Sequence, residues 1–406
     1  MNKPTRTTIW SDGLLLMLST LIVNVGNYAF NLLAGRALSP EAFGEANFLV
    51  TSLLAISFVA TAFQLTAAKF SDTNNQLTDT AWISGIVLAL VVFFSAEPLT
   101  DIFHLSSDLL VLALGLLIPF YFVLSVGRGT LQGGLHMGRF AATYQVEMWV
   151  RLLLGIGLVV LTHSVWGVSI GLFMSIIVCF LFTLWAKHQA PSQVLRSSNQ
   201  PIGLFFGATL AYEFSQIFIN NSDVLFVKHY FGAHEAGLYA ALALIGRVVY
   251  FGTWSVVMVL FPKVIAEKKK GNDTHHLFIK SFSVVALIAL LVVVLCLLMP
   301  EYIVSMLFGG QYLAIVPYLW QYACVTALFA CANVWVYYHL SLDRKLPIVL
   351  SVVAGILQFV LLSIWHTTFG EVIHSQLIAM VFLFVSLLVY HTLTETKSLS
   401  FDIRFN

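Results

Sequence analysis

Apolar stretches of about 20 residues, each long enough to cross the hydrocarbon core of a bilayer, follow one another along almost the whole chain. They fall at 13–34, 46–68, 81–96, 109–127, 141–161, 165–186, 204–230, 237–263, 279–299, 316–340, 347–366 and 371–393. Lipid offers no hydrogen-bond partners, so a spanning segment must satisfy its backbone internally, and runs of this length do so as α-helices. The chain is therefore expected to be an all-α polytopic membrane protein with about twelve transmembrane helices. With 59% hydrophobic and only 10% charged residues, and a mean hydropathy of +0.90, it is far more apolar than a soluble domain.

The charges that remain are sorted by side. Lys3 and Arg6, Lys69, Arg128 and Arg139, Lys187 and Arg196, Lys263, Lys268 to Lys270 and Lys280, Arg344 and Lys345, and Lys397 and Arg404 fall on alternate connections. The opposite connections hold only Arg36 and Lys228 and carry Glu41, Glu45, Glu97, Asp101, Asp108, Glu235, Glu301 and Glu371. By the positive-inside rule both termini are cytoplasmic. The first apolar run is longer than a signal-peptide core and continues into Asn24, Asn27 and Asn31, so it is expected to be a retained helix.

A net charge of +1, with the basic residues dispersed among loops, argues against a nucleic-acid partner. Cys179, Cys296, Cys324 and Cys331 lie inside apolar segments without Cys-x-x-Cys spacing, and no metal or cofactor site is expected. The histidines are scattered and form no visible cluster. There is no His-Glu-x-x-His, no Walker-type phosphate loop and no Gly-x-Ser-x-Gly elbow, so an enzyme is not expected.

Polar residues inside the spans are the candidates for function. In the 204–230 segment Glu213, Gln216, Asn220 and Asp223 recur at three- and four-residue spacing and share one helical face. Such a face lines a polar cavity or seals a helix interface, because ionisable groups facing lipid are costly. Thr20, Asn24, Asn27 and Asn31 form a second face in the first span. Asn can bond sugar hydroxyls, and equally can bond neighbouring helices. Arg151 lies near mid-depth in the fifth span, either available for an anion or paired with Glu147 at i, i+4. Arg247, about ten residues into the eighth span, is a second candidate, with Glu213 or Asp223 as its alternative partners. Either carboxylate could also carry a proton or Na⁺. Arg36 and Arg128 are placed at helix mouths as topology signals, and Trp320, Tyr322, Trp335, Tyr337 and Tyr338 stack on sugars or form interfacial belts.

The segment 191–203 carries Pro191 and Pro201 among Ser, Gln and Asn, and divides the chain into an N-terminal bundle at 1–190 and a C-terminal bundle at 204–406. The halves echo one another. Asn27 precedes Gly44 by 17 positions and Asn220 precedes Gly237 by 17, and Pro40-Glu41-Ala42-Phe43-Gly44 is similar to His234-Glu235-Ala236-Gly237. A parallel repeat of this kind places a substrate site at the interface of the halves.

Asn27-Tyr28-Ala29-Phe30-Asn31, Gly35-Arg36, Leu38, Pro40 and Phe43-Gly44 resemble the opening of the Wzx-like bacterial polysaccharide flippases of the multidrug/oligosaccharidyl-lipid/polysaccharide (MOP) exporter superfamily. So do Asn221-Ser222-Asp223-Val224-Leu225, Glu235-Ala236-Gly237-Leu238-Tyr239, Arg247 and Phe308-Gly309-Gly310-Gln311-Tyr312. The resemblance implies a MATE-like arrangement of two six-helix bundles in the cytoplasmic membrane. It also implies transfer of an undecaprenyl-pyrophosphate-linked oligosaccharide to the outer leaflet, alongside polysaccharide polymerase machinery. On that reading Arg247, Arg151, Asn24, Asn27, Asn31, Gln216 and Asn220 contact substrate and Glu213 and Asp223 couple to an ion. A MATE-like drug/cation antiporter is the alternative, and a membrane polymerase or acyltransferase a more distant one.

Overall fold

The computed structural model describes residues 6–70, 74–189, 202–249, 273–342 and 346–402, with single positions at 256, 264, 267 and 344. Lys268 to Lys270, nearly all of the 191–203 segment and the far part of the 237–263 stretch lie outside the described residues. Contacts group the chain into two compact units, Met1–Ala240 and Ala241–Asn406.

The elements up to the α10 helix are α1 (Arg6–Ala37), α2 (Pro40–Lys69), α3 (Asn74–Phe94), a short α4 (Ala96–Ile102), α5 (Asp108–Gly133), α6 (Met137–Val150), α7 (Ile156–Thr162), α8 (Val165–His188), α9 (Ile202–Tyr230) and α10 (Ala233–Gly246). A π-helical turn, Arg151–Gly155, joins α6 to α7. Beyond them stand α11 (His275–Leu298), α12 (Pro300–Leu307), a 3₁₀ stretch (Gly310–Tyr318), α13 (Leu319–Ser341), α14 (Leu346–Ile364) and α15 (Phe369–Asp402). No strand occurs among the described residues. Among them, nine helical segments are long and apolar enough to cross a membrane, and α9, bent by 42° between Ala211 and Gln216, makes a tenth. Together with α1 they follow the predicted apolar stretches in order, and the fold is an all-α polytopic membrane protein.

Short polar connections start the helices by capping. The Ser39, Ser107 and Ser164 hydroxyls accept from the backbone N–H groups of Ala42, Leu109 and Trp166, answering donors that lipid would leave unmet. Pro40 at the first position of α2 has no N–H to satisfy.

In the first unit α2, α3 and α5 enclose a core of Ala60, Phe63, Ala67, Leu77, Ala81, Ile118, Phe122, Val123 and Val126. On its other side α5 packs on α8 through Leu117, Leu124, Ile176 and Cys179. Lipid tails are as apolar as these side chains, so close packing rather than water exclusion holds the helices together. Gly129 and Gly133, four apart on α5, show how: a Cβ at either would run into the α2 backbone at Gln64 and Ala68. Small residues there bring the two backbones together, and with them the buried end of α5 that carries Arg128. The opposite surfaces carry exposed apolar side chains, such as Phe94 on α3 and Leu287 on α11, suited to lipid.

Candidate functional site

Glu147 stands on α6 one turn before the π-helical turn begins, and its two oxygens take different partners. Oε2 accepts from Arg128 Nη2 of α5 at 2.6 Å, and Oε1 accepts from Arg151 Nη2. The three side chains are only 3%, 13% and 12% exposed for Arg128, Glu147 and Arg151. A buried trio of two guanidiniums and one carboxylate carries one net positive charge.

The two arginines are held differently. Arg128 is enclosed: Nε donates to the Thr143 hydroxyl at 3.1 Å, and Nη2 also reaches the Thr143 carbonyl at 3.2 Å and Cys179 Sγ at 3.3 Å. Its guanidinium lies 3.9 Å from the centre of the Tyr144 ring, a cation–π contact. The Tyr144 hydroxyl in turn donates to Gln64 Oε1 at 2.8 Å, tying α6 to α2. Arg151 is less committed. Beyond Glu147 it donates from Nη1 to Asn27 Oδ1 at 3.4 Å, and its buried Nε has no partner among the described residues. Five donors in a fixed fork leave Arg151 with capacity for an additional acceptor. Since Arg128 already balances Glu147, the Arg151 charge is not cancelled by its own neighbour.

Arg151 is the first residue of the π-helical turn. An extra residue in a turn re-aims the side chains around it and breaks the regular ladder, an irregularity common at functional positions. Across from it, α1 is fastened to α6 by Gln145 Nε2, which donates to both the Ser19 carbonyl and hydroxyl at 2.9 Å.

The structure brings Asn27, Glu147 and Arg151 together. Asn31 is turned to its own helix, donating to the Asn27 carbonyl at 2.9 Å, and Asn24 is half-buried one turn earlier. On α9, Asn220 donates to the Gln216 carbonyl at 2.8 Å, while Gln216 and Glu213 are half-buried. Asp223 is buried and accepts from the Tyr239 hydroxyl of α10 at 3.2 Å. Lys228, five residues on, donates to the His104 carbonyl at 3.4 Å. Arg247 directly follows α10 in the second unit, half-buried, with its N–H on the Ala243 carbonyl.

Three expectations are corrected. Arg128 is no helix-mouth topology signal: α5 runs on to Gly133, so the residue is swallowed by the bundle. Tyr322, Trp335 and Tyr338 are buried rather than belt residues, and Trp335 packs among Phe278, Phe282 and Phe384. The histidines are not all scattered, because His275, His339 and His391 meet at one end of the second unit. Among the described residues no group of His, Cys, Asp and Glu is arranged to hold a metal ion.

Residues 32–317 match the family described as Polysaccharide biosynthesis protein. No curated protein matches the chain in sequence. Among solved structures, the fold is similar to an inward-facing multidrug resistance MATE family transporter of the MOP superfamily. That pair shares 12% identity with a TM-score of 0.72, over 94% of this chain and 99% of the other. It is similar too to the lipid II flippase MurJ in an inward closed conformation, at 14% identity and a TM-score of 0.73, over 93% of this chain and 87% of MurJ. The MATE multidrug transporter DinF-BH in complex with R6G gives 16% identity and a TM-score of 0.64, over 95% of each chain. The family match spans more than half of the sequence: the chain belongs to the family described as Polysaccharide biosynthesis protein, and its fold is the one shared by these MATE and MurJ structures.

Proposed function

We propose that the protein moves an undecaprenyl-pyrophosphate-linked oligosaccharide from the cytoplasmic to the outer leaflet of the bacterial cytoplasmic membrane. The observation that carries this reading is the Arg128–Glu147–Arg151 trio, with one uncancelled charge and a buried, unpartnered Nε–H on Arg151. A pyrophosphate is the ligand chemistry for which a forked, desolvated guanidinium is suited. Asn27, already in contact with Arg151, and Asn24, Asn31, Gln216 and Asn220 supply hydrogen-bonding groups for sugar hydroxyls. The likeness to the lipid II flippase supports a lipid-linked substrate.

In this reading both termini are cytoplasmic, the bundles at 1–190 and 204–406 alternate access, Arg247 is a second phosphate contact, and Glu213 or Asp223 loads a proton or Na⁺. A polysaccharide polymerase consumes the flipped product. A drug/cation antiporter on the same fold is the second reading, and the net positive trio opposes it, because a cationic drug gains nothing from an uncancelled guanidinium.

The test is gene deletion with complementation. Lipid-linked repeat units should accumulate in the cytoplasmic leaflet while surface polysaccharide disappears, and the intact gene, unlike an Arg151→Ala copy at equal protein level, should restore it. Unchanged surface glycan with raised drug sensitivity would favour the antiporter.

A further inference from the structure

In the first unit, at the end where α8 finishes, Lys187 lines a niche of about 40 Å³ together with Thr78 of α3, Gly127 of α5 and Thr183 of α8. Lys187 is half-buried and, among the described residues, takes part in no ion pair and no hydrogen bond. Thr183 is buried, its hydroxyl 3.9 Å from Cys179 Sγ, a weak partner that leaves the O–H able to donate elsewhere. Gly127 keeps the niche open, since a Cβ there would stand 2.7 Å from Thr183 Cγ2. An ammonium and a hydroxyl on one small space suit the oxygens of an anion. Trp185, two residues before Lys187, is exposed, and a tryptophan at a span end sits at headgroup level.

About one turn further into the helices, three rings meet edge to face: Trp82 with Phe120 at 5.6 Å and with Phe180 at 6.1 Å, and Phe120 with Phe180 at 5.6 Å. Phe180 borders the niche, while Trp82 and Phe120 border a second cavity, of about 370 Å³, that runs on between α3 and α5. Ile86, Leu90 and Phe93 of α3 and Leu116 of α5 wall it, all four exposed on the outside of the bundle. Small residues set its floor. A Cβ on Gly85 would stand 2.6 Å from Pro119 Cα, and one on Gly115 would stand 3.0 Å from Val92 Cγ1, so the helices touch there and leave a trough between the larger side chains. From Trp82 to Phe93 the helix rises about 16 Å, which is half of a hydrocarbon core roughly 30 Å thick.

An apolar trough one leaflet deep, beginning at headgroup level beside a lysine without a counter-ion, has the two-part chemistry of a lipid molecule. The cation sets which lipid: a zwitterionic headgroup brings its own positive charge to its phosphate, whereas an anionic one leaves that phosphate to Lys187. We propose that the niche and the trough together bind one anionic phospholipid. Its phosphate lies on Lys187 and Thr183, and one acyl chain passes the Trp82–Phe120–Phe180 rings into the trough between α3 and α5.

Lipid tails cover any apolar surface of a membrane protein without preference. Two features set this surface apart. A lysine at a span end ordinarily snorkels into water, whereas Lys187 is half-buried in the niche, where its charge is stabilised by a counter-ion. The trough, in turn, begins where the niche ends and stops at Phe93, midway through the bilayer, a depth that an acyl chain fills and a polyprenyl chain overruns. None of these residues is among the substrate contacts proposed above, so the inference stands whatever the protein transports.

The experiment is native mass spectrometry of the delipidated full chain in detergent. It is titrated with phosphatidylglycerol, with phosphatidylcholine of the same acyl chains, with undecaprenyl phosphate and with glycerol 3-phosphate. The unaltered chain should hold one phosphatidylglycerol about fivefold more tightly than phosphatidylcholine, the gain from one lysine beside an anionic headgroup. Glycerol 3-phosphate, which has no acyl chain, should not displace it. Lys187→Gln should lower the number of tightly held phosphatidylglycerol molecules by one, and Lys187→Arg should keep it. Ala89→Phe, which fills the trough from α3, should also lower it by one with Lys187 in place. Should Ala89→Phe fail to fold, Lys187→Gln at the end of α8 still decides the matter. Equal retention of the two phospholipids, an unchanged number in Lys187→Gln or in folded Ala89→Phe, displacement by glycerol 3-phosphate, or preferential uptake of undecaprenyl phosphate would each overturn the proposal.

Discussion

Gly44 on α2 and Gly237 on α10 pack backbone to backbone: a Cβ on Gly44 would stand 2.9 Å from the Gly237 nitrogen and 3.2 Å from its Cα, and one on Gly237 would strike the Pro40 carbonyl. These are the matching positions of the motif that recurs in the two halves. The same offset separates Glu41 from His234, and these also meet, with His234 Nδ1 2.6 Å from Glu41 Oε1. The two copies of the motif thus touch each other, equivalent position against equivalent position, as in a self-complementary contact.

The contact predicts an asymmetric response to added bulk. At Gly237 the obstacle is main chain, which cannot rotate aside, so Gly237→Val should destabilise the folded protein by roughly 1–3 kcal/mol and lower export. Gly232→Ala, where the nearest outside atom is the flexible Glu235 carboxylate at 3.7 Å, is the control and should leave stability nearly unchanged. Thermal unfolding in detergent compares them, and equal stability of Gly237→Val and the parent would show that the two helices part freely.

The arginine trio predicts a double-mutant cycle. Removing Arg128 by Arg128→Met leaves Glu147 with one partner and opens the cage formed by Thr143, Tyr144 and Cys179, a loss of about 3–5 kcal/mol. Glu147→Gln strands two guanidiniums and should cost a similar amount. The double variant Arg128→Met/Glu147→Gln removes one charge of each sign, so it should be less destabilised than the sum of the singles. Strict additivity would mean that the Arg128–Glu147 contact contributes nothing of its own.

Spans and polar stripes were legible in the sequence because both are local. Length and hydropathy locate α5, and three- and four-residue spacing puts Asn24, Asn27 and Asn31 on one face. The partners of those residues were not legible, since they are set by packing between distant segments: Arg151 reaches Asn27 across 124 positions and Arg128 reaches Cys179 across 51. Arg128 was misplaced because the run ends in Gly-Arg-Gly-Thr-Leu-Gln-Gly, too polar to count as membrane helix. In the fold Gly129 and Gly133 of that run press the helix end against α2 and bury it. The one available signal was their spacing of four. His339 and His391 meet across 52 positions with no local pattern at all.

Topology gives a third prediction. Positive charges partition to alternate connections, so a reporter fused after residue 270 should be cytoplasmic and one fused near Asp101 external. Alkaline phosphatase and green fluorescent protein fusions read the two sides in opposite senses. Both reporters on one side would overturn the predicted order of spans.

The last prediction separates the two candidate phosphate contacts. Arg151 keeps donor capacity beyond Glu147, so Arg151→Ala should lower export at least about tenfold while the protein inserts and accumulates. Arg151→Lys, which keeps the charge and loses the fork, should restore it only in part. Arg247 is expected to behave the same way if it contacts pyrophosphate. If it serves instead to neutralise a carboxylate, Arg247→Ala combined with Glu213→Gln or Asp223→Asn should recover export that Arg247→Ala alone loses, because removing both ends leaves no unpaired buried charge. For Arg151 the corresponding double variant with Glu147→Gln should not recover, since Arg128 then loses its carboxylate as well. Export assays at matched protein levels distinguish these outcomes, and full activity in Arg151→Ala would detach the trio from the substrate.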